Sequence, residues 1–201
     1  MATRSEKFRI KKSVFDAIRK IDLQRDKVTP LSLIDQYLTD VGPDDVDMLR
    51  LKANVLDIQL RRVQSLGIYK KLLRLNPSDV LALIDVGDLY AHRGQYAHAI
   101  RYYNRALRAM EQGHCNSGMY SYIGKGEEWI TVCKGKANAL LELNRTMDAL
   151  KCILQGLQRT PAEPLLGDLL RKAQAHHAKT EIAKGTTARR SRGRTTPTAG
   201  R

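Results

Sequence analysis

The chain has 201 residues, 42% of them apolar, and a net charge of +14, which suits one folded domain with a sizeable core and basic ends. No apolar run approaches the ~18 residues of a membrane span. Its three cysteines, Cys115, Cys133 and Cys152, are too widely spaced for a disulfide framework or a zinc module and read as free thiols of a reducing compartment, which points to the cytoplasm.

The charge is unevenly placed. Residues 1–30 carry nine basic against four acidic side chains, residues 179–201 seven against one, and the middle nineteen against sixteen. The ends are therefore candidate contacts for nucleic acid, an acidic protein or an anionic surface. The first residues, MATRSEKFRIKKSVFDAIRK, lack the apolar stretch of a secretory signal.

Leu, Ala, Arg and Lys dominate and β-branched runs are scarce, so the elements expected are all helical. In chain order they fall near 5–24, 30–40, 45–60, 62–75, 79–93, 96–112, 127–143, 146–159 and 163–180. Pro77 with Ser78 or Asp79 stops one helix and caps the next, and Gly94 turns another back on itself. Between the sixth and seventh helices, GHCNSGMYSYIGKGEE (113–128) reads as a long loop. The final helix presents Leu165, Leu166, Leu169 and Leu170 on one face, as a solvating cap does. Residues 181–201 have almost no large apolar side chains and are expected to be a disordered basic tail.

A period of 34 residues runs through this pattern. Gly87, Tyr90, Ile100, Tyr103, Ala106 and Leu107 align with Ala53, Leu56, Leu66, Tyr69, Leu72 and Leu73 one period earlier. After an insertion of 16 residues, Ala137, Leu140, Ala149, Leu150 and Leu157 continue the register, and Pro43, Pro77 and Pro161 close units. Small residues recur where two helix axes must approach to ~8–10 Å. Cys133 falls on the apolar slot of Leu49 and Leu83, which makes it a core residue.

Leu83, Gly87, Tyr90, Ala99, Tyr103 and Ala106 together resemble the tetratricopeptide repeat. The resemblance implies a right-handed α-solenoid of helix hairpins with a C-terminal capping helix. Its domain would span 46–180, with repeats at about 46–79, 80–113 and 130–163, an insertion at 114–129 and a cap at 163–180. Residues 1–45 would form a degenerate repeat.

In this family the first helix of each hairpin lines a concave groove that holds a partner's peptide or helix. The residues so implied are Asp47, Arg50, Asn54 and Asp57, then Leu81, Ile84, Asp85, Asp88 and His92, then Lys134, Asn138 and Glu142. One subfamily clamps the C-terminal carboxylate of heat-shock chaperones with Lys, Asn and Arg. Arg50 and Asn54 fit that clamp, whereas Asp85 replaces its asparagine and Gly135 its cation. Carboxylates outnumber cations here, so the groove is expected to take a basic or amphipathic segment. The tail arginines Arg189, Arg190, Arg192 and Arg194 are one such candidate.

Two further surfaces stand out. Arg101, Arg105 and Arg108 form a stripe on one helix face, which together with the tail could meet phosphates. Tyr120 and Tyr122, with Met119, Ile123 and Trp129, gather aromatic surface that either packs two repeats together or meets a partner. No nucleophile elbow, phosphate loop, HExxH or dinucleotide fingerprint occurs, and His114 with Cys115 and Cys133 is an incomplete metal set. The expectation is a non-enzymatic adaptor, co-chaperone or assembly subunit with no cofactor. A basic ribonucleoprotein subunit and a secretion-type chaperone are the alternatives.

Overall fold

A computed structural model describes residues 3–114, 127–161 and 163–192, the last ten by backbone alone. Nine helices and no strands occur among the described residues. They are α1 (Arg4–Ile18), α2 (Thr29–Asp40), α3 (Val46–Ile58), α4 (Arg62–Leu75), α5 (Val80–His92), α6 (Tyr96–Glu111), α7 (Glu127–Glu142), α8 (Thr146–Arg159) and α9 (Pro164–Arg192). Each packs on its successor, and α5 also meets α7 while α7 meets α9, which is how hairpins stack into a solenoid.

Helix starts follow local chemistry. Thr3 and Glu6 form a capping box on α1. Asp45 accepts from the amides of Asp47 and Met48, both at 3.1 Å, and Asp79 accepts from Ala82 at 3.0 Å. Two helices depart from the expected bounds. α1 stops at Ile18 rather than near 24. Beyond it Asp22 accepts from the amides of Gln24 and Arg25, and Asp26 from those of Val28 and Thr29, so these carboxylates offer the backbone turns instead of helix. α9 runs on to Arg192, past the expected end at 180, because extending a formed helix costs far less than starting one, even through Gly185, Thr186 and Thr187. Residues 193–201 of the expected tail lie outside the described residues.

The three hairpin turns share one geometry. Leu60, Gly94 and Asn144 adopt positive φ of 62°, 70° and 55°, and they are spaced by the expected 34 and 50 residues. In each, the next residue's amide returns to the preceding helix: Arg61 to Leu56 O at 2.8 Å, Gln95 to Tyr90 O at 2.9 Å, Arg145 to Leu140 O at 2.9 Å. Gly and Asn adopt this conformation readily, whereas in leucine its Cβ crowds the backbone and costs about 1–2 kcal/mol. Leu60 is moreover 73% exposed, so burial does not offset the strain. Leu60→Gly is expected to raise stability by about 0.5–1 kcal/mol, read as a higher urea midpoint at unchanged slope.

The core follows the small-residue positions. Ala53, Ala99, Ala106, Ala137 and Ala149 are fully buried. A Cβ on Gly87 would come within 2.5 Å of the Tyr103 ring, and one on Gly135 within 2.8 Å of the same ring. Tyr103 is thus wedged between α5 and α7, which explains both glycines. Ser65, standing where the repeat has alanine, donates to Ala53 O at 2.9 Å. Cys133 is buried as expected, and the Cys152 thiol points at its carbonyl at 3.7 Å. The N-terminal hairpin has its own cluster, in which Phe15, Ile18, Leu31, Ile34 and Tyr37 pack on Met48, Leu51, Val55 and Leu56 of α3.

Candidate partner-binding groove

The residues expected to line one groove fall into distinct environments. Arg50 does not face the groove: it is buried, and its guanidinium is bound to the buried carboxylate of Asp79. Leu81 and Ile84 are also buried, 6% and 2% exposed, and Ile84 belongs to the repeat core. Arg50 is held by the N-cap carboxylate of α5 and Ile84 by the core of the stacked hairpins, contacts between segments that the repeat pattern alone does not specify. Asp47 is half-buried and held by Lys11 of α1 at 2.8 Å, with Asp45 at the same distance from that ammonium.

A polar array remains along α3, α5 and α7. The Tyr69 hydroxyl lies between Asn54 and Asp85, and the Tyr103 hydroxyl donates to Asp88 at 2.5 Å. Asn54 and Asp88 are one period apart, so each second-helix tyrosine anchors on the same position of the first helix. Asp57, Asp85 and Asp88 are half-buried, whereas His92 and Lys134 are exposed. Burial pushes the Asp85 carboxyl up to about 7, with Asp88 and Asp79 adding repulsion, against the opposing hydrogen bond from Tyr69 and attraction from Arg50. Burial also raises Asp88, opposed by the Tyr103 hydrogen bond and by the charges of His92 and Lys134, and assisted by Asp57. These groups therefore sense one another as a single site. Asn138 and Glu142 belong elsewhere, lining a separate hollow with Lys172 and His176 of α9.

Next to Asp57 and Asp85 lies a pocket of about 360 Å³. Phe15, Ile18, Ile21 and Leu23 wall it from the N-terminal hairpin, and Leu51, Val55 and Ile58 from α3, with Tyr69 and Asp85 on its polar side. The wall contributed by residues 15–23 was missed by sequence reasoning. Its one legible signal was the apolar pair Phe15 and Ile18.

Of the remaining expected contacts, Arg105 is committed to the fold, donating to Pro77 O at 3.2 Å and lying 5.4 Å from the Tyr102 ring. That leaves Arg101 and Arg108 exposed on either side of it. Trp129 is buried, with the Arg159 guanidinium 3.7 Å from its ring, and so serves packing. Tyr120 and Tyr122 lie outside the described residues. No group of three or more metal-ligating side chains occurs among the described residues, and no described helix is long and apolar enough to cross a membrane.

Stacked antiparallel helix hairpins with a concave polar array define an all-α repeat solenoid. Residues 59–113 match the family model described as tetratricopeptide repeat. Beyond that match, the described residues have the fold of a tetratricopeptide-repeat solenoid. A tetratricopeptide-repeat protein from Parabacteroides merdae superposes with a TM-score of 0.64 at 16% identity, covering 92% of this chain and 64% of that one. The first repeat domain of Spaghetti (RPAP3), solved bound to the HSP90 peptide SRMEEVD, gives 0.54 at 16% identity over 66% of this chain and 93% of that one. YrrB, described as having an unusual peptide-binding site, gives 0.55 at 19% identity over 77% and 71%. No curated protein matches the chain in sequence.

Proposed function

We propose that the chain is a non-enzymatic protein-interaction module, an adaptor, co-chaperone or assembly subunit of the cytoplasm, that holds a basic partner segment in its concave groove. The observation that carries this reading is the run of carboxylates Asp57, Asp85 and Asp88, opposed only partly by His92 and Lys134. Peptide binding by Spaghetti and YrrB lends it support at the level of fold. A chaperone-tail clamp is disfavoured. Arg50 is spent on Asp79, Asp85 would repel a terminal carboxylate, and the Tyr103 ring fills the space a cation at residue 135 would need.

The test is capture of partners by the whole chain at about 0.05 and 0.2 M salt, read by mass spectrometry. A stoichiometric protein partner is expected to survive the higher salt. Asp88→Asn should then weaken it about tenfold, or ~1.4 kcal/mol, by isothermal titration. Full retention of affinity in that variant would place the contact outside the groove.

A further inference from the structure

We infer that the pocket between α1, α3 and α5 receives one lysine side chain of the partner, its aliphatic stem against Ile18, Val55 and Ile58 and its ammonium against Asp85 and Asp57. The inference rests on the groove reading above and assigns it a specific anchor.

The first argument is charge accounting. Asp85 has the Tyr69 hydroxyl beside it but no cation of its own. Arg50 is the nearest attractive charge, and Asp79 already holds it. Asp57 shares the pocket, and its Arg62 partner stands 3.8 Å away at the margin. Arg19 sits at the rim, exposed, with no ion pair among the described residues. Two carboxylates therefore share a hollow with apolar walls, Asp57 with only the 3.8 Å pair to Arg62 and Asp85 with no ion pair of its own among the described residues. An anion would be repelled, and a neutral apolar group would leave the carboxylates desolvated and unpaired. A cation on an apolar stem satisfies both the walls and the charge.

The second argument is shape. A volume of about 360 Å³ lies at the low end of ligand sites, suited to one long side chain rather than an extended segment. The corresponding place one hairpin further along is closed: residue 135, in register with Asp85, is a glycine pressed against Tyr103. The pocket is thus a local feature of the N-terminal end of the groove and not a property of every repeat. It exists because the hairpin of α1 and α2 adds a wall that the repeat itself does not provide.

Occupancy should depend on pH. The groups around Asp85 are Arg50 and Asp57 on α3, Tyr69 on α4, Asp79 and Asp88 at and on α5, and Arg19 beyond α1. Burial favours the protonated carboxyl, so an ammonium must draw off a proton as it enters at lower pH. Binding is therefore tightest above about 7 and weakens below it.

The probe is n-butylammonium, the side chain of lysine alone, compared with n-butanol at equal ionic strength. Methyl resonances of Ile18, Val55 and Ile58 in the full chain report entry. At pH 8 the ammonium is expected to half-saturate at a concentration at least fivefold below that of butanol. At pH 6 that preference should shrink, and in Asp85→Asn it should vanish. Equal affinity for butanol, no methyl shift with the ammonium, or a preference unchanged in Asp85→Asn would each overturn the assignment. The groove reading can survive that result: a partner captured equally by wild type and Asp85→Asn, but weakened by Asp88→Asn, would bind the groove without this anchor.

Discussion

Asp79→Ala is expected to cost the fold about 3–5 kcal/mol, the range for stranding one partner of a buried ion pair. Asp79 is 2% exposed and performs two tasks. Its carboxylate caps α5 through the Ala82 amide at 3.0 Å and holds the guanidinium of Arg50. Alanine leaves the first turn of α5 uncapped, worth ~1 kcal/mol, and leaves a buried cation without its counter-charge. Among the described residues the Arg50 Nε already meets no acceptor, so little remains to absorb the loss. Against a total of roughly 5–15 kcal/mol for a domain, this is enough to bring the protein close to unfolding. Urea denaturation followed by circular dichroism checks it. The double replacement Arg50→Met with Asp79→Asn keeps a cap and removes the charge, and should recover most of the loss. If Asp79→Ala costs less than ~1 kcal/mol, the pair is not shielded from water as described.

The second large effect is at Asp85, where asparagine should stabilise the protein, and only at higher pH. Burial raises this carboxyl to about 7 in the folded state, above its unfolded value of 3.8. The folded protein then holds the proton more tightly than the unfolded chain, so stability is greatest at low pH. It declines as pH rises from about 4 to about 7, by up to about 4 kcal/mol at 1.36 kcal/mol per pH unit. Asparagine keeps the shape and the hydrogen bond to Tyr69 without any charge to desolvate. The melting temperatures of the two proteins should therefore nearly coincide at pH 4.5 and diverge toward pH 8, with the variant higher by several degrees. A difference that stays constant across that range would mean that Asp85 ionises as easily as an exposed carboxylate. The gain in stability should accompany the loss of cation preference in the pocket, since both stem from the same unpaired charge.

Much of the architecture is legible in the residues. The 34-residue period, the break of 16, and the recurrence of small residues at Ala53, Gly87, Ala99, Ala137 and Ala149 describe hairpins that must stack. Pro77 and Gly94 locate turns to within a residue or two. These features are local or strictly periodic, and helix packing reads them directly: a small residue permits a crossing, and an apolar stripe must be covered.

The site was less legible. A repeat pattern assigns each position a face, but it does not say what covers that face in this chain. Leu81 and Ile84 followed the groove register and were buried. Arg50 followed it too, and was taken by Asp79 some 29 positions away. Asp47 went to Lys11 of a hairpin too degenerate to place from its period. The pocket beside Asp85 exists only because Phe15 to Leu23 close over α3, a contact that no spacing encodes. Sequence by itself determined that the chain is a stack of helix hairpins, because periodicity and small residues act through neighbours. Tertiary structure alone decided which charges remain unpaired and face a partner, because pairing and desolvation depend on distances between segments far apart in the chain.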